Sequence, residues 1–148
     1  MFIKKITYKD FTGETRTEEY MFNMSKSDVV QWRYSVNGGI EEVFRRIIDK
    51  NDQSMLMKMV KDLIRRSYGE RSLDGKSFVK RKNGVDLVEE FEQTAAYDAL
   101  FMELITNSQA AAEFLNGLMP PDLVAELEKY KTEDGQVDMN ALTAAHTG

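Results

Sequence analysis

Two amphipathic registers in close succession limit what this chain can fold into. Ile40, Val43, Phe44, Ile47 and Ile48 recur at the spacing of one helix face, and beyond Asn51-Asp52 the spacing returns in Leu56, Met59, Val60, Leu63 and Ile64. Helices of this kind draw their stability from covering the apolar face, so both demand a core to pack on. Burial contributes about 1.5–3 kcal/mol per large side chain before conformational entropy is set against it. A chain of 148 residues has material for one such core and too little for two comfortable domains.

The flanking segments supply the rest of the fold. Phe2, Lys4, Ile6 and Tyr8 alternate with Ile3, Lys5 and Thr7, and residues 15–22 are rich in Thr, Tyr and Phe. With Asp10-Phe11-Thr12-Gly13 as the turn, these predict a β-hairpin. Ser25, with Asp28 three residues on, predicts an N-cap for a helix carrying Val29, Trp32 and Val36 that stops at Asn37-Gly38-Gly39. Asp52 is placed to cap the second amphipathic helix, which gives out at Tyr68-Gly69. From Glu70 to Gly84 the pattern breaks, with turn signals at Asp74-Gly75 and Asn83-Gly84 around an extended Ser77-Phe78-Val79. One continuous helix is predicted from about Val85 to Thr106. A further one follows Thr106-Asn107-Ser108, with Ala111, Phe114, Leu115 and Leu118 in register, and Gly117 with Pro120-Pro121 ends the compact region. The expected architecture is α+β and mainly α. Residues 1–120 form an N-terminal β-hairpin packed on a bundle of about five helices, and residues 121–148 form a short helix, Asp122 to Tyr130, and a flexible polar tail.

Charge is divided unevenly. Residues 1–82 carry 18 of the 20 Lys and Arg against 12 acids, a balance of +6, while the remainder has 2 against 13, a balance of −11. Residues 83–128 contain no Lys or Arg at all. Within that stretch Tyr97, Leu100, Phe101, Leu104 and Ile105 line one helix face, which Phe91 and Met102 widen beyond a narrow seam. An acidic helix with a broad aromatic and methionine face suits the docking of another chain better than it suits catalysis. The polarity is compatible with head-to-tail self-association or capture of a basic partner, and equally with an accidental segregation of charge.

Several chemistries find no support. The apolar fraction of 42% and charged fraction of 30% are those of an ordinary soluble protein, and no apolar run approaches the roughly 20 residues that span a bilayer. The opening Met1-Phe2-Ile3-Lys4-Lys5 has no hydrophobic run behind it and does not read as a signal peptide. With no cysteine there is neither a disulfide framework nor a thiolate, and a reducing cytosol is the natural compartment. The single histidine, His146, sits at the chain's end, where it anchors no triad or metal site. Adjacent carboxylates such as Glu18-Glu19 and Glu89-Glu90 point to different faces. Asp134-Gly135 resembles the centre of a calcium loop, but the first, third and last ligand positions would fall on Tyr130, Thr132 and Ala141. Gly38-Gly39 lacks the strand-to-helix setting of a phosphate loop. Lys76, Lys80, Arg81 and Lys82 around Phe78 could meet phosphates and bases, yet the chain's pI is about 5.0 and no nucleic-acid-binding signature accompanies them. No cofactor, metal or catalytic residue is expected.

Two blocks carry a family resemblance: Phe91 to Leu104 (FEQTAAYDALFMEL) and Ala110 to Pro120 (AAAEFLNGLMP). Together with Phe22-Asn23-Met24-Ser25, the Asn37-Gly38-Gly39 break, and Ser67-Tyr68-Gly69 before Asp74-Gly75-Lys76-Ser77-Phe78, they resemble tail assembly chaperones of long-tailed siphophages over roughly residues 1–120. The resemblance implies a non-enzymatic protein that binds the long helical tape measure protein, keeps it soluble and helps the major tail protein polymerise around it. Such a protein works in the host bacterial cytoplasm and leaves before the virion is complete. Many relatives of this type also exist as a longer, frameshifted form. A client with exposed apolar stripes calls for an adaptable surface, and nine methionines, among them Met55, Met57, Met59, Met102 and Met119, fit that need. The expected docking residues are Phe91, Tyr97, Phe101, Met102, Ile105 and Phe114, although each reads as readily as core. The rival expectations are a head–tail connector or tail-completion protein of the virion, and a nucleic-acid-binding regulator using residues 76–82.

Overall fold

A computed structural model describes residues 1–35, 38–50 and 52–119. Strands β1 (Phe2–Lys9) and β2 (Thr15–Phe22) form the expected hairpin, in register from Phe2 opposite Phe22 to Lys9 opposite Thr15. Its turn is fixed by Asp10, whose Oδ1 accepts from the backbone N–H of Thr12 at 2.8 Å and of Glu14 at 3.0 Å while Arg16 Nε donates to Oδ2 at 2.6 Å. Alternation turns Phe2, Lys4, Ile6 and Tyr8 inward and leaves Ile3, Lys5, Thr7 and Lys9 exposed.

Helix α1 (Lys26–Arg33) starts at a complete capping box: Ser25 Oγ accepts from Asp28 N–H, and Asp28 accepts in return from Ser25 N–H. After α2 (Gly39–Lys50), Asp52 caps α3 (Gln53–Ser67) by accepting from Met55 N–H at 2.9 Å. Asn107 caps α6 (Ser108–Leu118) in the same way through Ala110 N–H. Of the second predicted helix, the buried Val43 and Ile47 lie in the core, while the side chains of Ile40, Phe44 and Ile48 lie outside the described residues. Val36, Asn37 and Asn51 also lie outside them, as does everything after Met119: Pro120-Pro121, the Asp122–Tyr130 helix, the polar tail, Asp134-Gly135 and His146.

One expectation needs correction, and one part of the sheet was not expected. Helix α3 gives out at Tyr68-Gly69 as expected, and the same residues open a strand the sequence reading missed, β3 (Tyr68–Arg71), which pairs with β2. With β4 (Phe78–Val79) it extends the hairpin into a four-stranded antiparallel sheet of order β1-β2-β3-β4. A four-residue strand shows too little alternation to be read against the strong helical period before it. The predicted single helix from Val85 to Thr106 is three elements: β6 (Val85–Asp86), α4 (Leu87–Phe91) and α5 (Ala95–Thr106). Strand β6 closes a tight hairpin with β5 (Arg81–Lys82), and at its turn both Asn83 (φ 52°) and Gly84 (φ 78°) are left-handed. The break between α4 and α5 is made by Thr94, whose hydroxyl donates to Phe91 C=O at 2.6 Å and accepts from Tyr97 N–H at 3.2 Å. A capping hydroxyl offers the backbone an alternative to continuing the helix.

Gly117 lies in the last turn of α6, which ends at Leu118. A Cβ there would stand 2.4 Å from Phe2 Cδ2, so its bare backbone lets the Phe2 ring lie against the helix. The core is continuous, with Phe22, Trp32, Ile47, Leu56, Ile64, Leu100, Phe114 and Leu115 fully buried. Helix α5 is its centre, in contact with β1, α3 and α6. That position leaves α5 only a narrow outer strip.

Candidate docking surface

The six residues expected to dock a partner divide by burial. Phe91 and Phe114 are each 2% exposed. Phe91 is stacked on Tyr68 and set edge-on to Tyr97, and Phe114 is edge-on to Phe2 and Phe22. Ile105 is buried with them. These three are core side chains, and Phe91 and Phe114 belong to the aromatic cluster that joins the sheet to α4 and α6. Tyr97 and Phe101 are half-buried, their ring centroids 6.0 Å apart and their planes inclined by 29°. Met102 is 48% exposed and continues an outward strip with Asp98 and Thr106 at i, i+4 and i+8. The surface that α5 can offer is therefore Tyr97, Phe101 and Met102 beside Asp98.

The electrostatics of this strip follow from where the acids go. Glu103 reaches back to β1, accepting from Lys4 Nζ at 2.6 Å, and Glu92 pairs with Arg65 of α3. Asp98 lies on the outward strip with Met102. Burial pushes the Tyr97 hydroxyl above its ordinary range, and the Glu92 carboxylate adds to the rise against the opposing Arg65. The phenol therefore stays neutral, a hydrogen-bonding edge on an apolar body.

Of the basic residues of the 76–82 segment, Lys76, Arg81 and Lys82 are exposed and Lys80 is part-buried. Lys80 Nζ donates to Asp28 at 2.7 Å and to Arg66 C=O at 2.5 Å, tying the α1 cap to the end of α3. Lys82 pairs with Glu70 at 3.0 Å and Arg81 with Asp86 at 3.8 Å. Part of the uneven charge is thus reconciled within the molecule: Lys4–Glu103, Arg65–Glu92 and Arg81–Asp86 each join the basic to the acidic part of the chain. Such exposed pairs contribute little stability and act mainly on orientation.

Sequence reasoning missed other exposed apolar groups. Phe11 is 86% exposed at the hairpin tip, and Leu73 is fully exposed in the β3–β4 turn. Val30 on α1 and Tyr34 at its C-cap are exposed. The signal was present for the first two, since each is a lone apolar residue inside a turn, beyond reach of the sheet. Among the described residues no three His, Cys, Asp or Glu side chains cluster as metal ligands, and no helix is long and apolar enough to cross a membrane.

The chain is thus a small α+β fold that carries a partly exposed apolar strip beside Asp98 on α5. A family described as phage tail assembly chaperone matches residues 1–146, nearly the whole chain, and the chain belongs to that family. The match extends across the segment after Pro121 that the resemblance read from the sequence left out. No curated protein and no solved structure matches it significantly.

Proposed function

We propose that this chain serves phage tail assembly by binding the tape measure protein and keeping its apolar helical stripes covered until the tail tube closes around them. It acts by binding alone, in the host cytoplasm, and departs before the virion is finished. The observation that carries this reading is Met102, a large flexible apolar side chain exposed on α5 and flanked by the half-buried Tyr97–Phe101 pair. Methionine adapts to varied apolar partners, and Asp98 beside it favours clients with basic residues along their apolar stripe. The buried Phe91 ring is set edge-on against Tyr97 of that strip.

Co-expression tests the proposal. The tape measure protein should move from the pellet to the soluble fraction when this chain is present and return to the pellet when it is omitted. Equal solubility in both cases would overturn the reading. Mass spectrometry of purified virions separates it from a head–tail connector or tail-completion role: a chaperone should be absent, and stoichiometric copies in finished particles would favour the structural alternative.

A further inference from the structure

Met59 looks two ways. On one side it lines the small apolar void where α6 rests on α3, with Val60, Leu104, Phe114 and Leu115. On the other it helps to form a cleft of about 340 Å³ among α1, α2 and α3, with Trp32, Val43 and Met55 as apolar lining and Lys58, Asp62 and Arg66 as charged lining, Arg66 Nε donating to Asp62 at 3.0 Å. Helix α6 therefore runs one side chain away from that cleft. Met119, one turn beyond Leu115, is itself buried.

Residues 120–148 continue from this point. Asp122 is three residues beyond Met119, a reach of roughly 10 Å when extended. In the next stretch Leu123, Val124, Leu127 and Tyr130 fall at i, i+1, i+4 and i+7, one face of a short helix, with Asp122, Glu126 and Glu128 around it. Charge is complementary as well. Residues 120–148 hold six acids against two lysines, a balance of −4, whereas α1, α2 and α3 together hold nine Lys and Arg against five acids, a balance of +4.

We propose that residues 122–130 dock in the α1–α2–α3 cleft of their own chain, with the Leu123, Leu127 and Tyr130 face on Trp32, Val43, Met55 and Met59, and the acids towards Lys58. The docked segment shields a methionine-lined cleft that a longer apolar helix could compete for. This surface is distinct from the α5 strip, so the two proposals stand or fall separately.

The absence of cysteine makes the test clean, since introduced thiols have no competitors. In the full chain, Lys58→Cys/Glu126→Cys should form an intramolecular disulfide at least about tenfold faster than the control pair Lys58→Cys/Ala145→Cys, because docking raises the local thiol concentration. Adding Leu123→Asp/Leu127→Asp should bring the first pair down to the control rate, with circular dichroism and Trp32 emission reporting an intact fold. Equal rates for the two pairs would overturn the proposal. Disulfides formed only between chains would also overturn it, by placing the segment on a second copy.

Discussion

The Tyr68 ring lies flat on the Phe91 ring, centroids 4.2 Å apart and planes within 2°, and this contact joins the start of β3 to the end of α4. Phe91 therefore belongs to the framework that positions α5. Phe91→Ala should cost about 3–5 kcal/mol, the range for emptying an aromatic core site. Urea unfolding followed by circular dichroism checks this. A loss below about 1 kcal/mol would place Phe91 outside the core.

Gly117 and Phe2 should behave as a coupled pair. Alanine in a helix interior ordinarily gains about 1 kcal/mol over glycine. At Gly117 the new methyl would stand 2.4 Å from the Phe2 ring, so Gly117→Ala should instead destabilise, by about 1–3 kcal/mol for an overpacked site. In the background of Phe2→Ala the same change should become neutral or favourable. A double-mutant cycle with additive effects would contradict the close approach.

Strong alkali should unfold the protein through its tyrosines. Burial, helped by the Glu70 and Glu90 charges, pushes the Tyr68 hydroxyl up to about 12, and burial raises Tyr20 and Tyr97 as well. A folded pKa above the unfolded value of roughly 10 means that the contribution is fully present below pH 10 and is lost as pH rises through 10 to 12. Stability measured across that window should fall, and Tyr68→Phe should flatten part of the fall. A stability flat to pH 12 would contradict this assignment.

At the acid end, Asp28 carries two duties, completing the α1 capping box and receiving Lys80 from 52 residues away. Burial alone would raise its carboxyl, but the hydrogen bonds from Lys80 and Ser25 outweigh it and the net shift is downward. Its contribution is therefore present above the ordinary carboxylate range and lost as pH falls through the depressed value. Asp28→Ala should cost about 0.5–2 kcal/mol at neutral pH, as for other lost caps, and the difference from the parent should shrink towards pH 2. A pH-independent difference would leave the carboxylate's charge without a role.

Much of this fold was legible because local chemistry and long-range packing agree. Ser25, Asp52 and Asn107 cap where their side chains predict, and the buried Leu56, Val60 and Ile64 are the apolar face that the spacing marked. The α4–α5 break was hidden because the apolar spacing runs on across it, and only the Thr94 hydroxyl reveals it. Strand β3 was hidden because its pairing depends on β2, more than forty residues earlier. Among the residues expected to dock a partner, the sequence could not divide the buried Phe91 and Phe114 from the exposed Met102. A broad apolar stripe does not say which of its edges is covered by a sheet.

The claim on which the account rests is that α5 offers its outer strip to the tape measure protein. Its most direct test compares Met102→Asp with Met57→Asp, a matched change at another exposed methionine, on α3, in co-purification with that partner. A contact worth about 1.4 kcal/mol or more should make Met102→Asp lower the affinity at least tenfold, while Met57→Asp leaves it unchanged. Undiminished binding by a correctly folded Met102→Asp protein would contradict the account.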